Sequence, residues 1–133
     1  MKFEFIKITL PLELGEYAEG LRGQAIQVWI NPSRAKKLER LEILRSYGEF
    51  LAELAGKRKK KILKVESKKR ELELLRQMFA WLADLWSQHP DLESHCDAES
   101  IDELYQVDPA LYEWLTRRSI EMIEGFRADQ KKV

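Results

Sequence analysis

Apolar residues along this chain switch between two spacings. Over residues 2–10 (KFEFIKITL) Phe and Ile nearly alternate with polar positions, with a register shift between Phe5 and Ile6, which predicts a strand that is bulged or at an edge. PLELGEYAEGLRGQ follows as a turn-rich connection carrying Pro11, Gly15, Gly20 and Gly23, and AIQVWI (25–30) resumes a β-branched and aromatic run. Two strands and a loop predict a β-hairpin over residues 1–30. A lone hairpin is marginal in water, so its apolar face is expected to lie on the helices that follow.

From residue 31 the spacing becomes helical. Asn31-Pro32-Ser33 predicts a helix start, with Asn31 capping free N–H groups and Pro32 at the first helical position. Leu38, Leu41, Leu44, Tyr47, Leu51 and Leu54 then recur every three or four residues and predict the buried stripe of a helix over 31–56. Gly48 is a weak spot within it and Gly56 a C-terminal stop. From Glu66 to Ser87 a wider apolar face (Leu72, Leu75, Met78, Phe79, Leu82, Leu85, Trp86) predicts a central helix, with Leu74 and Trp81 off that face. His89-Pro90 ends it, and an acidic loop leads to Ser100-Ile-Asp-Glu103, a capping-box arrangement ahead of a short helix over 101–106. Asp108-Pro109 opens the last helix, which is expected to run to about Ala128 with Leu111, Trp114, Leu115, Met122, Ile123 and Phe126 on one face. Residues 129–133 are expected to form a frayed tail. The expectation is one domain of 133 residues, mainly α, with about four helices and an N-terminal β-hairpin packed on them.

Charge adds what periodicity does not show. The 23 basic and 23 acidic side chains cancel, yet residues 1–56 carry 8 and 8, residues 57–70 carry 9 and 1, and residues 71–133 carry 6 and 14. One chain thus holds two opposite poles, able to meet within the fold or between copies. Ile62, Leu63 and Val65 sit inside the basic segment, which reads equally as a loop or as the start of the next helix. The single cysteine, Cys96, closes no intrachain disulfide, the N-terminus lacks the pattern of a secretory signal, and no apolar run approaches the ~18 residues of a membrane span. A reducing, cytoplasmic setting is the expectation.

Candidate chemistry is thin. His89, His95, Cys96, Asp97 and Glu99 are metal-ligand types, but zinc sites pair two ligands with a second pair further on, and the sequence offers no second pair; the stretch reads as an acidic capping loop, with no metal expected. Cys96 beside His95 lacks an orienting group for nucleophilic catalysis, and no glycine-rich phosphate loop occurs, so neither an enzyme nor a cofactor is predicted. The cluster Lys57, Arg58, Lys59, Lys60 and Lys61, continued by Lys64, Lys68, Lys69 and Arg70, suits salt-sensitive contact with phosphates, but no aromatic residue for base stacking lies between Gly56 and Met78. Nucleic acid is the weaker alternative to a protein partner or a second copy. Trp81, Trp86, Trp114 and Tyr112 are candidate partner anchors, although aromatics at helical spacing are more often core; Trp81, off the main stripe of its helix, is the one singled out as outward-facing.

Two stretches carry a family resemblance. IQVWINPSRAKKLERLE, a strand running through VW-x-NP into a charged helix, resembles the front of phage tail assembly chaperones of siphophage and prophage type. FAWLADLWSQ together with ESIDELYQVDPALYEWLTRRSIEMIEGFR looks like the helical remainder of the same group. The resemblance covers most of the chain outside the lysine-rich middle, whose basic charge it does not explain. It implies a small host-cytoplasm protein that binds the helical, aggregation-prone tape measure protein, and possesses no catalytic residues, before the tail tube protein polymerises. It implies absence from the mature virion. A different morphogenesis component, such as a connector or completion protein, is the other phage reading.

Overall fold

A computed structural model describes residues 6–57, 64–87 and 96–131. The described residues are mainly helical, with four helices and a small antiparallel sheet at the N-terminal side. The elements are β1 (Thr9–Glu13), β2 (Ala25–Trp29), α1 (Arg34–Lys57), α2 (Lys64–Ala83), β3 (Trp86–Ser87), α3 (Ala98–Val107) and α4 (Pro109–Lys131).

The predicted hairpin is present, but its first strand lies later than 2–10. β1 pairs with β2 from Thr9↔Trp29 to Glu13↔Ala25, and residues 1–5 fall outside the described part. Pro11 therefore sits inside the strand rather than opening the loop. Ladder bonds fall on the Ile30–Ile8 and Leu14–Gln24 pairs, so alternation puts Pro11, opposite Gln27, in a pair that exchanges none. Its ring nitrogen faces away from β2, and the missing N–H costs the ladder nothing. Two short 3-10 turns, Leu14–Glu16 and Glu19–Leu21, fill the connection, and Gly23 closes it at φ 90°, which a side chain would strain. The connection packs on α4 through Tyr17 against Trp114, with ring centroids 5.5 Å apart, and through Glu16 to Arg118 at 3.5 Å.

The helix predicted over 66–87 is shorter. α2 stops at Ala83, Asp84-Leu85 turns, and Trp86–Ser87 pairs with β2 as a third strand (Val28↔Trp86, Gln27↔Ser87). The reason is the otherwise bare edge of β2: Trp29 N–H donates to Leu85 O at 2.9 Å, and extension of the chain carries Trp86 into the core. β2 is thus the middle strand. The Trp86 indole donates to the Ser119 hydroxyl of α4 at 2.8 Å, and that hydroxyl donates to Leu115 O at 2.7 Å.

The core lies between sheet and helices, built from Leu12, Val28, Trp29, Ile30, Phe79, Trp81, Leu82, Leu85, Trp86, Ile101, Tyr112, Leu115 and Ile123. Phe79, Tyr105 and Tyr112 interlock as an aromatic trio with centroids 5.2 to 5.6 Å apart, joining α2, α3 and α4. Burial pushes the Tyr112 hydroxyl up to about 12. α2 is central, as its broad apolar face predicts: it packs on α1 and on α3, while Leu74, off the expected stripe, is buried.

Helix starts differ in detail from the sequence reading. Asn31 does not cap α1; its carbonyl oxygen accepts from Ile8 N–H at 2.7 Å and the Trp29 indole at 2.9 Å, and its amide donates to Ile6 O at 2.7 Å. With Asn31 latching the chain ahead of β1, the cap falls to Ser33, whose hydroxyl accepts from Lys36 N–H at 3.2 Å. α1 runs through Gly56 to Lys57 instead of stopping there. α3 begins at Ala98 rather than 101: Asp97 is the cap, accepting from Ser100 N–H at 2.7 Å, and Ser100 lies inside the first turn. Asp108 caps α4 as expected, through Leu111 N–H at 3.1 Å, and α4 extends to Lys131, past the anticipated end near Ala128 and into the segment expected to be frayed.

The Asp97 cap gives a pH prediction. The Ser100 N–H bond holds the Asp97 carboxyl below its ordinary 3.8, so its contribution is complete above that value and fades as acid protonates the folded form. Asp97→Ala should lower thermal stability at pH 7, and the difference from the parent chain should shrink below about pH 4. Paired melting curves across that range check it; a difference independent of pH would contradict the cap.

Candidate partner-binding surface

The stripe predicted to be buried on α1 packs only in part: Tyr47 and Leu54 turn inward, but Leu38, Leu41, Leu44 and Leu51 do not. Lys36, Ile43, Tyr47, Phe50 and Leu54 turn towards the protein, spaced three, four or seven residues apart, with Lys36 and Phe50 buried. Leu41, Leu44 and Leu51, taken from sequence as core, are 57%, 41% and 49% exposed, and Leu38 is 51% exposed. On a helical wheel Leu41, Leu44, Gly48, Leu51 and Ala55 form one flank, roughly 100° from the face on α2. A Cβ built at Gly48 meets nothing within 4 Å, so this flank is open along its middle.

Trp81 lies opposite to expectation as well. It is 4% exposed, and its indole N–H donates to Lys36 O in the first turn of α1 at 2.7 Å. The Lys36 ammonium lies 5.1 Å from the centre of the Trp81 ring and 2.7 Å from the Asp84 carboxylate, itself largely exposed. Trp81 thus pins the end of α2 to the start of α1, and the lysine stem packs against it.

Two grooves flank the N-terminal half of α1, and Trp81 is a wall of both. The smaller, about 180 Å³, lies on the leucine side, lined by Pro32, Lys37, Arg40, Leu41, Trp81, Ile120, Ile123 and Glu124. Leu41 belongs both to this groove and to the exposed leucine flank, and Lys37, Arg40 and Glu124 supply the charges of the lining. The larger, about 820 Å³, lies on the opposite flank, lined by Ala35, Lys36, Leu38, Glu39, Glu42, Ile43, Gln77, Ala80, Trp81 and Asp84. Its rim is acidic, and Arg45 reaches from α1 to Glu42 and to Glu49.

Of the basic cluster, Lys57 ends α1, while Arg58, Lys59, Lys60 and Lys61 lie outside the described residues; Lys68, Lys69 and Arg70 are exposed on α2. His89 and His95 also lie outside the described part, and no group of three metal-ligand side chains occurs among the described residues. Asp97 is committed to capping. Burial, with the Asp97 charge beside it, raises the Cys96 thiol above its ordinary range, which keeps it protonated at neutral pH. No described helix is long and apolar enough to cross a membrane.

The surface offers adhesion: leucines on an exposed helix flank, an apolar channel beside them, and charged rims of opposite sign on the two sides of α1. The sequence signal that was missed is the seven-residue recurrence of Lys36, Ile43 and Phe50, which marks a second stripe beside the leucines. Comparison with family models, with curated proteins and with solved structures gives no match.

Proposed function

We propose that this chain is a tail assembly chaperone of siphophage or prophage type, which holds helices of the tape measure protein in solution until the tail tube protein polymerises around them. The observation that carries this reading is the row Leu41, Leu44 and Leu51 beside the Trp81 groove. Apolar anchors at helical spacing next to a channel suit helix-in-groove binding of an amphipathic segment. The stretches that resemble the family include the start of α1 and the region of Trp81, so the resemblance and the surface meet on the same elements. Covering what remains exposed of each leucine supplies about 1 kcal/mol, enough for many weak contacts along a long partner and weak enough for later displacement. In this reading the chain acts in the host cytoplasm and leaves before the particle is finished, whereas a connector or completion protein would be detected in purified particles.

Co-expression with the tape measure protein of the same phage or prophage tests it. The soluble fraction of that protein should rise with the parent chain and fall back with Leu41→Glu/Leu44→Glu/Leu51→Glu, while the triple variant keeps its helical circular dichroism, because these side chains stand in water. A tape measure protein no more soluble with the parent chain than without it would overturn the proposal.

A further inference from the structure

We infer that, in the chain by itself, the leucine flank of α1 is covered by the same flank of a second copy, the two α1 helices packing antiparallel with Ser46 of each at the level of the two-fold axis. The flank has the spacing of a helix seam. Lys37, Leu41, Leu44, Gly48, Leu51 and Ala55 follow one another at intervals of four, three, four, three and four residues, the repeat that keeps one line of side chains on a neighbouring helix. The line one residue earlier, through Lys36, Ile43, Tyr47, Phe50 and Leu54, falls in the same repeat and already carries α2. The second line has no such neighbour among the described residues, and its three leucines stand in water.

The order of large and small residues along the seam identifies the occupant. Turned end for end about its midpoint, the seam sets Leu44 of one copy against Gly48 of the other and Leu41 against Leu51, with Lys37 against Ala55 at the two ends. The seam's glycine thus falls opposite a leucine. A Cβ at Gly48 meets nothing within 4 Å in the single chain, which leaves the kind of hole that a knob from a facing helix fills. Leu38 and Ala52, on the outer edge of the seam, meet in the same way. A parallel pair in register would set glycine on glycine and lysine on lysine, leaving a gap and two like charges face to face. Charge does not oppose the antiparallel pair: Arg45 of each copy comes near the axis already paired with Glu42 and Glu49 of its own helix, and the Lys37 stem can lie on Ala55 with its ammonium in water. Beside Leu41 the α4 residues Ile120 and Ile123 wall the approach, and the part of the copy arriving there carries the small Ala52 and Ala55. Such a two-fold contact closes on itself at two copies. It uses the flank assigned above to a partner helix without resting on that assignment; where both hold, the partner helix has to displace the second copy.

Sedimentation equilibrium on the full chain alone, at concentrations up to about 200 µM, reads the pairing. The parent chain should be substantially dimeric at the upper end and stay so at about 500 mM salt, because the contact is apolar. Leu41→Glu/Leu44→Glu/Leu51→Glu should be monomeric with the helical circular dichroism of the parent. Gly48→Leu tests the fit: filling the hole should weaken the dimer about tenfold or more, although the variant is more apolar and a better helix former. In a Cys96→Ser background, Lys37→Cys mixed with Ala55→Cys should crosslink on oxidation faster than either variant alone, whereas a parallel pair would crosslink each with itself. A parent chain monomeric throughout would overturn the inference, as would a Gly48→Leu dimer as tight as the parent, or a mixture that crosslinks no faster than its components. A monomeric chain that still keeps the tape measure protein soluble would remove this inference and leave the proposed function standing.

Discussion

Trp81→Ala should lower the unfolding free energy by about 3 kcal/mol, the low end of the range for removing a buried tryptophan, because grooves on both sides of the ring let water enter part of the space left behind. The loss has two parts. The ring area on α1 and α4 disappears, and the Lys36 carbonyl loses the indole N–H that ties the two helices together. Trp81→Phe separates them, keeping most of the apolar contact while giving up the hydrogen bond, and should cost about 1 kcal/mol. Urea unfolding followed by far-ultraviolet circular dichroism measures both. An alanine variant within about 0.5 kcal/mol of the parent would mean that Trp81 faces water after all, as its position off the apolar stripe implied from sequence.

The second large effect is expected at Trp86. Trp86→Ala should cost about 3 to 5 kcal/mol, since the ring is 2% exposed and belongs to the core, with its indole on Ser119 of α4. Ser119→Ala probes the polar half of the contact: it leaves the Trp86 indole N–H buried without its acceptor, at about 1 to 3 kcal/mol. The pair should be strongly non-additive, because with Trp86 already removed Ser119 retains only its bond to Leu115 O. A double-mutant cycle whose coupling is near zero would contradict the hydrogen bond.

Legibility followed how local the determining physics was. Four helices, the hairpin and the Asp108-Pro109 start could be read from periodicity and capping chemistry within a few residues. What escaped depends on groups distant in sequence. Asn31 has good capping chemistry, but Trp29 and the chain at Ile6 to Ile8 offer it more hydrogen bonds than α1 does. Trp86 continues the apolar pattern of α2, yet the bare edge of β2, nearly sixty residues earlier, takes it as a strand. The surface was the hardest part. α1 carries two apolar stripes, and only the packing of α2 decides that Ile43 and Phe50 go inward and the leucines outward. For Trp81 the sequence reading found the residue but not its direction: it shapes the grooves as a wall instead of projecting as an anchor.

Pro11 decides what kind of contact this molecule can offer. A stranger chain trying to lengthen the sheet along β1 would find a donor missing at mid-strand, and on the far margin the Trp86 carbonyl is already taken by Cys96 N–H at 2.9 Å. With neither margin of the sheet welcoming to a further strand, a helix-borne contact of the kind proposed above would let a visitor slide, exchange and depart without breaking a ladder.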